Sequence, residues 1–187
     1  MKQVWNSYTN CKVNTAVCWY ANHTPGCCWH VVVIKSPFKT DNTVSRRPHI
    51  SDTLREKVAA TAQHRCGYCL TSQGYTAMPM HIEHIIPLAA GGNSEEDNLW
   101  LACPLCNGYK GVQTHFADPE TGVNTQIFNP RQQKWQDHFR WSEDGLQIIG
   151  KTACGRATVI ALKLNNSFLF RARRRWVMAG WHPPDIS

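Results

Sequence analysis

Apolar residues recur at helical spacing just downstream of Ser51. Leu54, Val58 and Ala62 follow one another every four residues, which places them on one face of a helix. Ser51 or Thr53 can cap its N-terminus, because hydroxyl oxygens accept hydrogen bonds from the first free amides of a helix. The pattern predicts one amphipathic helix in this part of the chain.

A different pattern follows, in which two short apolar runs are separated by a loop of small and polar residues. The runs at residues 80–86 and 99–102 have the length of strands. Pro104 and Gly111 then bracket a short helix, since proline suits the first turn of a helix and glycine its C-terminal end. The order strand, loop, strand and helix is therefore predicted.

The C-terminal part predicts a hairpin and two further helices. Apolar residues flank the turn at 142–145, whose sequence SEDG favours a reversal of the chain. Helices are expected at 153–164 and 167–179, with Ser167 opening the second helix and Gly180 ending it. With the preceding segments, these elements predict a small α+β protein.

Residues 1–48 have no helical or alternating period, although they contain three tryptophans and four cysteines. They are left as an unassigned N-terminal segment. Two interpretations stay open: a disordered arm, or a mis-assigned start with true initiation near Val44, just before the sequence SRRPHIS.

Composition and charge exclude some classes of protein. The chain has 187 residues, of which 42% are hydrophobic, so it can bury an ordinary core. No run approaches the ~20 apolar residues of a membrane helix, and no secretory signal follows Met1, so we expect a cytoplasmic protein without membrane association. The formal net charge is +7, but the first fifty residues hold six Lys and Arg against one Asp, which leaves only +2 for the rest. A nucleic-acid partner therefore has to be argued from a site.

Two CxxC pairs provide the strongest chemical signal. Cys66 and Cys69 form the first pair, and Cys103 and Cys106 form the second after an interval of 33 residues. Four thiolates complete the tetrahedral coordination of a structural Zn²⁺ and leave no open position for catalysis. Redox-active dithiols are the alternative, but two pairs around a polar strand favour zinc.

The first predicted strand contains three polar residues, His81, Glu83 and His84, in the sequence MHIEHIIP. Burying these side chains would not stabilise a purely structural strand. If zinc joins the two cysteine pairs, Asn98 and Asn107 are brought toward the same place. Metal-assisted hydrolysis of a phosphodiester needs an imidazole that takes a proton from water, and oxygen ligands for a divalent ion. These residue types fit that chemistry.

The stretch EHIIPLAAGGNSEEDNLWLACPLCNGYKG resembles the HNH endonucleases, whose fold is the ββα-metal or His-Me finger. The resemblance implies a DNA nuclease in which His84 is the general base and Asn98 fixes the loop that orients it. It also implies that Glu83 and Asn107 hold a catalytic Mg²⁺ or Mn²⁺, and that Lys110 faces phosphate. In-line attack by water would leave 5′-phosphate and 3′-hydroxyl ends.

The resemblance covers residues 54–112 and departs from the family pattern at three positions. Glu83 stands where many members have Asp, and Asn107 stands where the archetype has His. Gly111 stands where some members carry a second helix histidine, which leaves two protein ligands and predicts weak metal binding without substrate. The implied organisation is a nuclease core at 49–112 and an extension at 113–187 that packs on it.

The last predicted helix has a basic face formed by Arg171, Arg174 and Arg175, which recur at spacings of three and four. Arg173 lies beside this face, and the opposite face contains Phe168, Ala172 and Trp176. The basic face is expected either to follow a phosphate backbone or to be solvated, and both readings stay open.

Three further alternatives stay open. His81 shares a strand face with Glu83, so it either orients that carboxylate or is an ordinary surface or core residue. The aromatic residues of the extension are expected to pack rather than to stack on bases; they are Phe128, Trp135, Phe139 and Trp141. A catalytically silent, zinc-stabilised DNA-binding module is the rival function, although such a protein would be expected to have lost His84 or Glu83.

Overall fold

The computed structural model describes residues 49–76 and 78–185, all of which lie in one unit, Ser45–Ser187. The expectations for residues 1–48 fall outside the described residues. The described chain contains five α-helices and six short strands, which confirms the predicted α+β class. Their bounds are α1 Asp52–Thr61, β1 His81–His84, β2 Leu99–Ala102, α2 Pro104–Lys110, β3 His115–Ala117, β4 Asn124–Gln126, α3 Trp135–His138, β5 Phe139–Trp141, β6 Ile148–Gly150, α4 Ala153–Ala161 and α5 Ser167–Met178.

A hairpin followed by a helix forms the centre of the fold. β1 pairs with β2 in antiparallel register, so that His81 lies opposite Ala102 and His84 opposite Leu99. α2 follows β2 directly, and α1 packs Val58 against Leu99 on the other side. The predicted order of strand, loop, strand and helix is therefore confirmed, and it places the end of β1 beside α2.

Helix ends follow from side-chain and glycine capping. The Oγ of Ser51 accepts a hydrogen bond from the amide of Leu54 at 3.2 Å, so Ser51 rather than Thr53 caps α1. Gly111 ends α2 with a positive φ of 50°. α5 begins at Ser167 as predicted, but its cap is Asn166, whose amide oxygen accepts hydrogen bonds from two helix amides.

The extension adds two more antiparallel hairpins, β3 with β4 and β5 with β6. Only the second of these was predicted, because strands of three residues are too short to show a period. α4 ends at Ala161 and not at 164, since Lys163 has a left-handed backbone with φ 46°. Arg156 of α4 forms a bidentate ion pair with the buried carboxylate of Asp118, which ties α4 to the end of β3.

Aromatic residues of the extension share one core with the four cysteines of the CxxC pairs. Phe128, Trp135 and Phe139 are buried, and Trp141 packs against them from a partly buried position. The ring centroid of Trp135 lies 5.1 Å from that of Phe139 and 5.3 Å from that of Trp141. These side chains contribute to packing, as expected. Among the described residues, no helix has the length and apolar character needed to cross a membrane.

Candidate active site and metal centre

The four cysteines of the CxxC pairs converge on one buried point. Their sulfur atoms all lie within 4.8 Å of one another, and Cys69 Sγ is 3.7 Å from Cys103 Sγ. A tetrahedral zinc site with Zn–S bonds of about 2.3 Å has sulfur–sulfur edges of about 3.8 Å. The geometry and the chemistry of this donor set therefore fit Zn²⁺.

Neighbouring groups favour the thiolate form of one of the four cysteines, Cys69. The amide of Cys106 donates to Cys103 Sγ at 3.5 Å, and Thr71 Oγ1 lies 3.1 Å from Cys69 Sγ. Hydrogen bonds from the other thiols, Cys103 first, hold the pKa of Cys69 well below its ordinary value. Burial raises the pKa of Cys66, so a divalent cation is needed to stabilise all four thiolates together. This is the one such cluster of His, Cys, Asp and Glu side chains in the described part of the chain.

A second site is an open cleft of about 520 Å³ between α1, β1 and α2. Glu83 and His84 reach it from β1, and Asn107 reaches it from α2. His81 lines the same cleft from an exposed position at the start of β1, and Arg55 lines it from α1. Pairing of β1 with β2 fixes the strand, and the helix that follows β2 brings Asn107 to it.

His84 is half-buried at the end of β1 and is oriented by a hydroxyl group. Its Nε2 lies 2.9 Å from Ser94 Oγ, and no hydrogen bond among the described residues engages Nδ1. Burial lowers the pKa of His84, and the positive charge of Lys110 acts in the same direction. The imidazole is therefore neutral near pH 7, the form in which a ring nitrogen can accept a proton.

Asn98 holds the loop between β1 and β2 through its side-chain amide. Its Oδ1 accepts a hydrogen bond from the amide of Ile86 at 2.8 Å, and its Nδ2 donates to the carbonyls of Ile86 and Asn93 at 2.9 and 2.8 Å. Gly92 makes room for this arrangement, because a Cβ at that position would lie 1.9 Å from Ile86 O and 2.7 Å from Asn98 Nδ2. The loop that carries Ser94 toward His84 is thus closely determined.

Glu83 is a buried carboxylate, only 5% exposed, next to a buried ammonium group. Lys110 Nζ lies 2.5 Å from Glu83 Oε1. Burial raises the pKa of Glu83, an effect that Lys110 and the nearby Tyr68 hydroxyl oppose. The second oxygen, Oε2, is buried, and the nearby Tyr68 hydroxyl is the one group of the described residues besides Lys110 that favours the charged form of Glu83. Oε2 is the carboxylate oxygen that is not paired with Lys110.

The donor set of the cleft suits a hydrated hard cation. Glu83 offers a carboxylate oxygen and Asn107 an amide oxygen, and both line the cleft. Mg²⁺ and Mn²⁺ accept such oxygen ligands and retain several waters. Two protein ligands of this kind would hold such an ion weakly.

The HNH endonuclease family model matches residues 66–113. This segment is an HNH endonuclease domain. The HNH domain includes both cysteine pairs, β1, β2 and α2. This match supports a nuclease or DNA-binding family for the matched segment. No curated protein and no solved structure matches the chain.

Lys110 is placed differently from the expectation that it faces phosphate. Its side chain is 2% exposed, and its Nζ contacts the Glu83 carboxylate and donates to the carbonyl of His84 at 3.1 Å. The sequence places a lysine in the last turn of α2, but it does not show that the side chain of this lysine packs against β1. In the structure Lys110 is an internal counter-ion.

The basic face of α5 lies outside the cleft of the HNH domain. Arg171, Arg174 and Arg175 are exposed, and none of them lines the cleft. Arg173 does not belong beside this face, because it is fully buried, whereas Phe168 is 64% exposed. The buried side of α5 therefore runs through residues 169 and 173, and phosphate contact by the three exposed arginines stays a prediction.

Sequence reasoning missed two residues at the candidate site, Ser94 and Arg55. Ser94 lies in a polar loop ten positions after His84, where no local pattern distinguishes it from its neighbours. Arg55 is one of several charged residues on the exposed face of α1. Its Nε donates to Ile50 O at 3.2 Å, and its position on the cleft depends on how α1 packs on β2.

Proposed function

We propose that this protein is a metal-dependent HNH endonuclease that hydrolyses DNA phosphodiester bonds in the cleft beside His84. The observation that carries the proposal is the convergence of His84, Glu83 and Asn107, from two elements of an HNH domain, on one open cleft. The neutral imidazole and the two oxygen donors are the groups that this hydrolysis requires.

His84 acts as the general base. Ser94 engages Nε2, so Nδ1 is the nitrogen that takes a proton from water as the water oxygen attacks phosphorus. The bond between phosphorus and the 3′-oxygen then breaks, and the leaving oxygen takes a proton from solvent water, which leaves a 5′-phosphate and a 3′-hydroxyl. General base catalysis of this kind contributes about 10² to 10⁴ in rate.

Glu83 and Asn107 hold the catalytic Mg²⁺ or Mn²⁺. When bound, the ion stabilises the negative charge that develops on the phosphate and on the leaving oxygen. Lys110 favours the ionised form of the Glu83 carboxylate and so opposes the effect of burial, which raises its pKa. Asn98 keeps the loop, and with it Ser94, in place.

Arg55 supplies positive charge to the substrate. Its side chain is exposed at the edge of the cleft, and the hydrogen bond of its Nε to Ile50 O leaves both terminal nitrogens available. A guanidinium group binds phosphate oxygens through paired N–H donors. Arg55 is therefore the cleft residue best suited to hold the scissile phosphate or its neighbour.

The zinc ion proposed at the four cysteines is structural. It joins the segment before β1 to the start of α2, so it fixes the distance between the Glu83 side and the Asn107 side of the cleft. Four thiolates leave no position for water or phosphate, so the zinc ion has no role in the reaction itself.

Nicking of supercoiled plasmid DNA, measured against Mg²⁺ concentration, tests the proposal. Wild-type protein should nick only when the divalent ion is added. Asn107→Ala should require a higher Mg²⁺ concentration and recover part of its rate there, because it lacks one ligand. Nicking that is indifferent to added Mg²⁺ and Mn²⁺ would contradict the proposal, and absence of nicking with retained DNA binding would identify a silent DNA-binding module.

A further inference from the structure

An apolar groove of about 440 Å³, which we call the α5 groove, is lined by α5 and by the start of α2. Phe168 and Trp176 line it from α5, Leu105 lines it from α2, and Met78 lines it from the segment before β1. Apart from two threonines and Cys103, the lining side chains are apolar. Phe168 and Met78 are exposed to solvent. An exposed apolar surface of this kind indicates a binding site, and the volume is in the range of pockets that hold small molecules.

The α5 groove adjoins the cleft beside His84 along two segments of the chain. Pro104 lines the groove and Asn107 lines the cleft, and three residues of an α-helix span about 4.5 Å. Met78 lines the groove and His81 lines the cleft, and three residues of extended chain span at most about 11 Å. A DNA strand in the cleft therefore reaches the groove within a few nucleotides, since successive bases of one strand lie about 3.4 Å apart.

The α5 groove has a basic rim on its α5 side. Arg171 and Arg175 are exposed, and they follow Phe168 on the same face of the helix. The guanidinium Cζ of Arg171 lies 5.4 Å from the ring centroid of Phe168. The segments that line the groove, at residues 71–82, 103–110 and 167–178, contain no Asp or Glu. The charge at the rim therefore favours an anionic partner.

The combination of an apolar groove and a basic rim fits unpaired nucleotides. The faces of unpaired bases stack on aromatic side chains whatever their sequence, and their phosphates bind to basic residues. The bases of a continuous duplex are stacked inside it, so a duplex would offer only its phosphates to α5. An acidic amphipathic helix would also suit an apolar groove with a basic rim, but the continuity of the α5 groove with the cleft favours the substrate itself.

We propose that the α5 groove binds unpaired bases of the DNA substrate next to the scissile phosphate. Phe168 and Trp176 stack on the bases, and Arg171 and Arg175 bind the phosphates. This inference rests on the nuclease function proposed above and names its substrate class, which is DNA with a single-stranded segment beside the bond that is cut. It gives the C-terminal extension a role in choosing the substrate.

Binding of two fluorescent oligonucleotides, measured by anisotropy without added divalent ion, tests the inference. One is a fully paired duplex, and the other is a forked duplex with unpaired thymidine tails and the same number of phosphates. Wild-type protein should bind the forked duplex about 5- to 150-fold more tightly, the effect expected when a base stacks on an aromatic side chain. Equal affinity for the two oligonucleotides would overturn the inference.

Phe168→Ala tests the stacking. Phe168 is exposed, so the variant should fold, lose most of the preference for the forked duplex and keep its affinity for the paired duplex. Ile160→Ala is the matched control, because Ile160 is another exposed apolar residue but belongs to α4 and does not line the α5 groove. A Phe168→Ala variant that keeps the full preference would overturn the inference and leave the groove to an acidic amphipathic helix.

The two arginines of the rim are tested by the salt dependence of binding. Arg171→Gln and Arg175→Gln, made singly, should each lower the salt slope for the forked duplex by about 0.7, the value for one phosphate contact on a single strand. Arg140→Gln is the control, because Arg140 is exposed on β5 and does not line the groove. Unchanged slopes for both rim variants would remove the arginines from the site.

The outcomes separate this inference from the nuclease function on which it rests. A protein that prefers the forked duplex but nicks no plasmid would keep the α5 groove as a nucleic-acid site and would remove the nuclease proposal. A Mg²⁺-dependent nuclease that binds both oligonucleotides equally would overturn the inference alone.

Discussion

At the scale of single residues, the proposed role of His84 as the base depends on its surroundings within the protein. Burial keeps the imidazole neutral, and Ser94 engages one ring nitrogen so that the other is left for water. A histidine without such a partner would rotate and present either nitrogen. The position of the loop is therefore as important to the proposed chemistry as the histidine itself.

Ser94→Ala should slow cleavage while leaving the Mg²⁺ dependence unchanged. The variant loses one hydrogen bond, worth about 0.5–1.5 kcal/mol, which corresponds to a rate reduced by up to about tenfold. The measurement is the single-turnover rate of plasmid nicking at saturating Mg²⁺. Ser72→Ala is the control, because Ser72 caps a short turn away from the cleft; equal rates for both variants and wild type would contradict the role of Ser94.

Lys110→Met should destabilise the protein far more than loss of an exposed lysine. It leaves the buried Glu83 carboxylate without its cation, and breaking a buried pair costs about 3–5 kcal/mol. The measurement is the midpoint of urea unfolding.

Two further variants complete the Lys110 experiment. Lys57→Met removes an exposed partner of Glu96 and should cost at most about 1 kcal/mol. Glu83→Gln combined with Lys110→Met should recover part of the lost stability, since no charge is then left unpaired. If Lys110→Met and Lys57→Met unfold at the same midpoint, Lys110 is not an internal counter-ion.

The sequence predicted which residues come together where a local pattern marks them, such as His84 beside Glu83 at the cleft and the four cysteines in their cluster. It misplaced Lys110 and Arg173, since a charged residue on a short or amphipathic helix is ordinarily exposed. Their burial depends on what the helix packs against, and that contact is made by residues distant in the chain. The family resemblance could not supply it either, because Arg173 lies beyond the matched segment.

At the scale of elements, the loop between β1 and β2 forms part of the cleft, since residues 87–89 line it. A larger residue at Gly92 does not fit in this loop, because its Cβ would collide with the carbonyl of Ile86 and with the side-chain amide of Asn98. The hydrogen bonds of Asn98 depend on the same close approach.

Gly92→Ala should therefore disturb the loop between β1 and β2, while the hydrophobic core around the four cysteines remains folded. We expect the nicking rate to fall by at least about tenfold, which corresponds to roughly 1.4 kcal/mol of lost transition-state stabilisation, with stoichiometric zinc retained. Gly74→Ala is the control, since its added Cβ meets only Ser72 Oγ at an ordinary 3.6 Å. Wild-type cleavage by Gly92→Ala would show that the loop geometry does not control the cleft.

Element prediction succeeded where an element is bounded by clear signals and failed where it is very short. α2 lies between Pro104 and Gly111 as expected. The hairpin of β3 with β4 and the single turn of α3 were missed, because three or four residues cannot establish a period of 2 or 3.6. These short elements are defined by the core they pack against rather than by their own sequence.

At the scale of the whole molecule, the HNH domain and the extension share one hydrophobic core. The four cysteines lie in the same buried cluster as Phe128, Trp135 and Phe139. Trp135 also donates a hydrogen bond to the carbonyl of Tyr68, within the first CxxC turn, at 3.0 Å. Loss of the metal centre would therefore remove contacts from both parts of the protein.

Cys66→Ser, or removal of zinc by a chelator, should unfold both parts together. Structural zinc contributes about 10–16 kcal/mol in small metal domains, and the extension has no separate aromatic core among the described residues. Near-UV circular dichroism of the tryptophans and far-UV circular dichroism of the helices should be lost in one transition. Cys154→Ser is the control, because Cys154 lies outside the metal cluster; an extension that kept its tryptophan signal without zinc would contradict the shared core.

The assignment of His84 as the base is tested most directly by comparing the two histidines of β1. The measurement is the rate of plasmid nicking by His84→Ala and His81→Ala across a range of Mg²⁺ and Mn²⁺ concentrations, on proteins shown to be folded and zinc-loaded. His84→Ala should bind DNA but cut about 10²- to 10⁴-fold more slowly, and no metal concentration should restore the rate. His81→Ala should lose little. Cleavage at the wild-type rate by His84→Ala, with His81→Ala inactive, would contradict the assignment.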